Sequence, residues 1–135
     1  MKYGSTIIIQ NIEGKILLQH RDNNAPTDKN LWALWGGGQE GSETPIETAI
    51  RELKEELGIE VQGLDLKFYK KYKVNYINKN GEEVDKEVTV FVLMDNGNYK
   101  FQLHEGDDMK YFSVDEIKDL PFAKVPKSWL WEYLG

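Results

Sequence analysis

The chain has 135 residues, 40% hydrophobic and 30% charged, enough for one buried core and too few for two. A formal net charge of -6 leaves no basic footprint, so a sequence-independent DNA or RNA binder is not expected. With no cysteine, neither a disulfide framework nor a thiolate metal centre can form.

The apolar run Ile7-Ile8-Ile9 gives way to Gln10, Asn11 and Glu13. It is too short for a signal-peptide core or a membrane span, so the expected residence is cytoplasmic, with no membrane partner. No repeat, low-complexity tract or linker divides the chain, and residues 1–135 read as a single domain.

Ser5–Gln10 and Lys15–Gln19 read as two strands joined by a turn at Glu13-Gly14, a short hairpin. Asp22–Asn30, polar and containing Pro26, reads as a loop. Leu31–Trp35 is apolar and runs into Gly36-Gly37-Gly38, where regular structure is expected to stop. Thr44-Pro45-Ile46-Glu47 is a capping box with proline at the first helical position. Ile46, Ala49, Ile50, Leu53 and Leu57 then form one apolar stripe, and Gly58 supplies the stop.

Leu66–Tyr76 and Glu83–Met94 read as two long strands joined across Asn80-Gly81, with Lys and Glu alternating with apolar residues. Their exposed faces would support a homodimer. Met109–Phe112 is a further strand. Ser113-Val114-Asp115-Glu116 is a second capping box, opening a helix to about Asp119, and Pro126–Leu134 reads as a terminal aromatic-rich helix. The expected class is α/β, a sandwich of helices around a mixed sheet.

The Thr44–Leu57 helix carries a second face on which Glu52, Glu55 and Glu56 converge at i, i+3 and i+4. Like charges at that spacing cost roughly 0.2–0.5 kcal/mol per pair, and the last helical turn disfavours anions as well. A hard divalent cation would reverse both penalties, since Mg²⁺ binds through a few carboxylates plus substrate phosphate oxygens. On spacing alone a solvated acidic face explains the three glutamates equally well.

The neighbouring residues decide between these readings. Gly37, five residues, Glu43, seven residues, Arg51-Glu52-Leu53, one residue, Glu55-Glu56, one residue, then Gly58-Ile59 reproduces the full Nudix box over residues 37–59. Nine specified positions match by chance with a probability on the order of 10⁻⁷ for this composition. The chain therefore resembles the Nudix hydrolases, in particular the mutator-type nucleoside triphosphate pyrophosphohydrolases.

That resemblance implies an α/β/α sandwich in which the box forms a loop–helix–loop. It implies Glu52, Glu55, Glu56 and the carbonyl of Gly36 as ligands of Mg²⁺, with Mn²⁺ as the alternative, and a Glu43–Arg51 pair that holds the loop to the helix. Glu105, in Glu105-Gly106-Asp107-Asp108, resembles a loop glutamate that binds metal or activates water, with Asp107 and Asp108 close enough to be confused with it. Arg21 resembles a basic residue that contacts substrate phosphates; His20 is its neighbour without chemistry. Trp32, Trp35, Tyr111 and Phe122 could stack on a base or line the pocket, with core packing the alternative for each. Trp35 and Tyr111 stand as the substrate-contact candidates. Trp129, Trp131 and Tyr133 are expected to pack the terminal helix onto the sheet. Two positions depart from the family pattern: Trp35 stands where many relatives have proline, and Ser42 where glycine usually precedes the glutamate.

The implied reaction is Mg-dependent hydrolysis of a phosphoanhydride in a small-molecule nucleotide, giving a nucleoside monophosphate and pyrophosphate from a nucleoside triphosphate. Nucleotide sugars, ADP-ribose and dinucleoside polyphosphates are the alternative substrates, and a non-catalytic nucleotide-sensing module is the alternative of another class.

Overall fold

A computed structural model describes residues 1–25 and 28–135. Pro26, in the expected 22–30 loop, lies outside the described residues. The elements in chain order are β1 (Lys2–Asn11), β2 (Ile16–His20), β3 (Trp32–Ala33), β4 (Trp35–Gly38), α1 (Pro45–Leu57), β5 (Leu66–Ile77), β6 (Glu83–Asp95), β7 (Asp108–Phe112), α2 (Val114–Lys118) and α3 (Lys124–Leu134). A single 3-10 turn at Gly63–Asp65, which the sequence did not suggest, precedes β5.

All seven strands form one mixed sheet in the order β3-β2-β1-β6-β5, with β4 added to β1 and β7 to β2. The parallel pairing is β1 with β6, in register from Lys2 opposite Lys86 to Asn11 opposite Asp95. Alternation along the strands divides the core between the two faces. Ile7, Ile9, Leu17 and Leu93 point toward α1, where Ala49, Leu53 and Leu57 cover them. Ile8, Ile16, Leu18, Val88, Val90 and Val92 point the other way, under Ile117 of α2 and Trp129 and Leu130 of α3. The fold is the expected α/β/α sandwich.

The aromatics of α3 pack as expected. Trp129 stacks on Tyr72 with ring centroids 4.8 Å apart. The Tyr133 hydroxyl donates to Gln10 Oε1 at 2.6 Å, and Trp131 packs partly buried on the same cluster. Among the described residues no helix is long and apolar enough to cross a membrane.

Two local expectations are corrected. The β1–β2 turn is present, yet the strands pair only at Gln10 opposite Ile16 and then diverge. Residues 32–38 enter the resulting fork, pairing first with β2 at Ala33 and Trp32 and then with β1 from Trp35 to Gly38. Regular structure therefore does not stop at the three glycines: β4 runs through them. Glycine is required at Gly36, whose φ is +135° and where a Cβ would lie 2.1 Å from the Ser5 carbonyl oxygen. Gly37 likewise leaves room for Glu52, whose Oε1 would stand 2.4 Å from a Cβ there.

Candidate active site

The box helix is fixed at both ends by its own sequence. Thr44 accepts a hydrogen bond from the Glu47 amide, Glu47 answers at the Thr44 amide, and Gly58 closes the last turn with φ +67°. That orientation carries Glu52 and Glu56 to the Gly36–Gly37 stretch of β4, inside the β1–β2 fork.

Glu56 is the most constrained of the four expected carboxylates. It is 1% exposed. One oxygen accepts from the Gly36 amide at 2.9 Å and the other from Gln19 Nε2 at 3.2 Å. Burial pushes its pKa up to about 8, the nearby charges of Glu105 and Glu52 push the same way, and the two hydrogen bonds oppose them only in part. Glu52 lies against Gly37, and burial raises its pKa too, against the lowering effect of Arg51. Glu55, by contrast, has a side chain 56% exposed and turned toward Arg51 at 3.2 Å.

The Glu43–Arg51 pair forms as expected. Arg51 Nε donates to Glu43 at 2.7 Å, and its NH2 group donates to the Gly38 carbonyl at 2.8 Å, tying the loop to the helix. The guanidinium also reaches Glu52 at 2.9 Å and Glu40 at 3.5 Å. Its hydrogen bonds, with that of the Glu40 amide, hold the Glu43 carboxyl down at about 2.

Glu105 sits on a loop tied down on both sides. The His104 amide donates to the Glu56 carbonyl at 2.9 Å, and the Asp107 amide donates to the His20 carbonyl at 3.0 Å. The side chains of Asp107 and His20 meet at 2.7 Å. Asp107 is thus a fastening of the loop, and His20 is its anchor. Glu105 itself lies 3.5 Å from Arg21 and is half exposed. The loop brings the Glu105 charge close enough to act on both Glu52 and Glu56.

The two aromatic substrate candidates, Trp35 and Tyr111, both pack on the α1-side core, and Trp35 also counts among the residues that line the cleft. Trp35 is 1% exposed and its indole nitrogen donates to the Leu17 carbonyl at 2.9 Å, so its ring is part of the core. Tyr111 packs against the α1-side core and donates its hydroxyl to Asp95. A cleft of about 820 Å³ opens instead on the opposite face of β4, between Gly36 and Gly37, the Arg21 side chain, β6 and α3. Phe122, Tyr76 and Trp129 supply its aromatic wall; Trp32 packs edge-on between His20 and Phe112.

Sequence reasoning missed Gln19, which is 1% exposed and bridges the Leu34 carbonyl and Glu56. Its Oε1 has no hydrogen-bond partner among the described residues. The available signal was a polar residue on the α1 face of β2, two positions after Leu17.

Among the described residues, no three acidic or histidine side chains stand close enough together to enclose a metal by themselves. The donor set still suits a hard cation that keeps most of its own waters, as Mg²⁺ does with one or two carboxylates and substrate oxygens. Glu52 and Glu56 both reach the Gly36–Gly37 stretch, and burial is the main cause that raises the pKa of each, with the other carboxylates adding to it.

Comparison with known proteins gives this geometry its setting. The MutT protein from Methanosarcina mazei Go1 superposes with a TM-score of 0.73 at 21% identity, covering 98% of this chain and 91% of that one. A bifunctional NMN adenylyltransferase/ADP ribose pyrophosphatase from Francisella tularensis, complexed with AMP and a Mn ion, superposes with a TM-score of 0.69 at 24% identity, covering 99% of this chain and 42% of that one. In sequence, 59 residues, 44% of the chain, are 36% identical to the m7GpppN-mRNA hydrolase NUDT17 of Xenopus laevis, and the match spans only 20% of that protein's length. The NUDIX domain model matches residues 2–132. With a buried glutamate held against the strand that opens the box, and that model matched over nearly its whole length, the chain belongs to the Nudix hydrolase family.

Proposed function

We propose that the chain hydrolyses a phosphoanhydride bond in a nucleoside triphosphate, releasing a nucleoside monophosphate and pyrophosphate, with Mg²⁺ or Mn²⁺ as the cation. The observation that carries this reading is Glu56: a carboxyl 1% exposed, hydrogen-bonded to Gly36 and Gln19 and within reach of the charges of Glu52 and Glu105. Evolved sites place such groups where a cation is to be received.

Glu52 and Glu56 are the inner holders of the cation, with the Gly36 carbonyl, Glu55 and Glu105 completing the set. A divalent cation there would lower the pKa of an attacking water, orient the diphosphate and neutralise the leaving group. Arg51 keeps the Gly38 carbonyl, Glu43 and Glu52 in one rigid unit, so that the ligating loop does not need to be ordered at the moment of binding. Arg21, its side chain 15% exposed at the cleft, meets substrate phosphate and is held there by Glu105. The cleft beside Gly36 and Gly37 has the volume of a small-ligand site and receives the nucleoside.

The test is a product analysis. Purified protein is incubated with Mg²⁺ and nucleoside triphosphates, ADP-ribose, nucleotide sugars and dinucleoside polyphosphates, and the products are separated by chromatography. Monophosphate and pyrophosphate from triphosphates are expected. Cleavage confined to the other substrates would replace the substrate class, and saturable binding without turnover of any of them would make the chain a nucleotide sensor.

A further inference from the structure

We infer that Lys86 determines which nucleobase the cleft accepts, selecting bases that present an exocyclic carbonyl oxygen, as in guanine and uracil, over adenine. This rests on the reading that the nucleoside occupies the cleft.

Lys86 interrupts an apolar row. Val84, Val88, Val90 and Val92 are its neighbours on the same face of β6, and all four are buried. The lysine lines the cleft with Val74, Tyr76, Val88 and Trp129. Its stem lies over Gly4: a Cβ there would stand 2.9 Å from Lys86 Cε, 3.3 Å from Lys86 Nζ and 3.0 Å from the Gly37 carbonyl oxygen. The φ of Gly4 does not fall in the left-handed region. Glycine at this position therefore answers to the space taken by the lysine and the box strand rather than to the backbone. The ammonium is thereby kept on the cleft side of the box, close to the Gly36–Gly37 stretch.

No carboxylate pairs with it among the described residues, although nine ion pairs form elsewhere. Burial lowers its pKa below the usual lysine value, and the neighbouring Lys2 charge adds to this. A half-buried ammonium without a carboxylate partner among the described residues, set in an apolar row, is a donor awaiting an acceptor. Tyr76, Phe122 and Trp129 in the same lining offer aromatic surface to a planar ring. Nζ has three donors and no acceptor, so a carbonyl edge satisfies it, whereas adenine sets its amino group, donor against donor, where guanine carries a carbonyl and leaves only ring nitrogens to accept. Such a mismatch at a desolvated site is worth roughly ten- to a hundredfold in affinity.

The experiment is equilibrium binding of product nucleotides, followed by tryptophan fluorescence because Trp129 lies in the cleft wall. GMP, UMP and AMP are titrated into the wild-type chain, Lys86→Met and Lys86→Arg, each first checked for an unchanged melting temperature. Wild type is expected to bind GMP and UMP about tenfold or more tighter than AMP. Lys86→Met should remove the difference by weakening GMP and UMP alone, and Lys86→Arg, which keeps the charge and donors, should retain part of it. Equal binding of the three by wild type, no binding of any, or an equal loss for all three in Lys86→Met would overturn the inference. The readout requires no turnover, so an inactive protein that still discriminates among bases would refute the hydrolase reading and leave this one standing.

Discussion

Replacing Glu56 by glutamine removes the one carboxyl that, among the described residues, the fold buries almost completely, and it should stabilise the metal-free protein at alkaline pH. Folded, Glu56 keeps its proton up to pH about 8; unfolded, it releases it near the ordinary 4.5. Folding therefore takes up a proton between these values, and the metal-free wild type loses stability as pH rises through that window. At about 1.4 kcal/mol per pH unit the ceiling on this loss is about 5 kcal/mol. Glutamine does not recover all of it. Its amide would face Gln19 Nε2, donor against donor, unless Gln19 turns its unpartnered Oε1 inward and surrenders its bond to Leu34. A gain of about 2 kcal/mol at pH 8, or roughly 8 °C in melting temperature, is the expected remainder. The assay is thermal unfolding in EDTA between pH 4.5 and 8.5: the variant should melt below wild type at the acid end, where only the donor clash counts, and above it as pH rises. Parallel melting curves across the whole range would refute the reasoning, because they would mean that Glu56 is ionised in the fold at no cost.

Three further outcomes follow from the same geometry. Glu43, held at about 2 by Arg51, contributes stability that is present above pH 4.5 and lost as pH falls toward 2; the melting-temperature gap between wild type and Arg51→Met should therefore narrow over that acid range. Gly36→Ala forces a Cβ to 2.1 Å from the Ser5 carbonyl at a φ of +135°, and chemical denaturation should register a loss of about 2 kcal/mol or more. Asp107→Asn weakens the contact with His20 that fastens the Glu105 loop, and calorimetric titration with Mn²⁺ should show affinity weakened by roughly tenfold while the fold is kept.

The box helix was legible to the residue because its signals are local: a capping box, a proline and a terminal glycine act within one turn of the residues they govern. Of its three acidic residues, Glu52 and Glu56 reach the Gly36–Gly37 stretch, whereas Glu55 turns toward Arg51. What the sequence could not show was pairing across the chain. Nothing near Gln10 announces that β1 leaves β2 after one pair to take up β4, and that departure turns three apparently strand-ending glycines into a strand. The role of Trp35 changed with it. Once β4 is a strand, the residue alternates with Gly36 and packs into the α1-side core. Gln19 and Lys86 each left a faint trace, a polar residue in an otherwise apolar row. Only the packing of α1 and α3 shows that one meets a buried carboxyl and the other a cleft.

The proposed function is that Glu52 and Glu56 beside Gly36–Gly37 help to receive a divalent cation, which serves to cut a nucleotide phosphoanhydride. Its most direct test is the rate of pyrophosphate release from nucleoside triphosphates with Mg²⁺, with EDTA, and with Mg²⁺ in Glu56→Gln. Release that requires Mg²⁺ and falls by at least about a hundredfold in the variant is the predicted result. Release that survives EDTA, or that proceeds at the wild-type rate without the Glu56 carboxylate, would contradict the account.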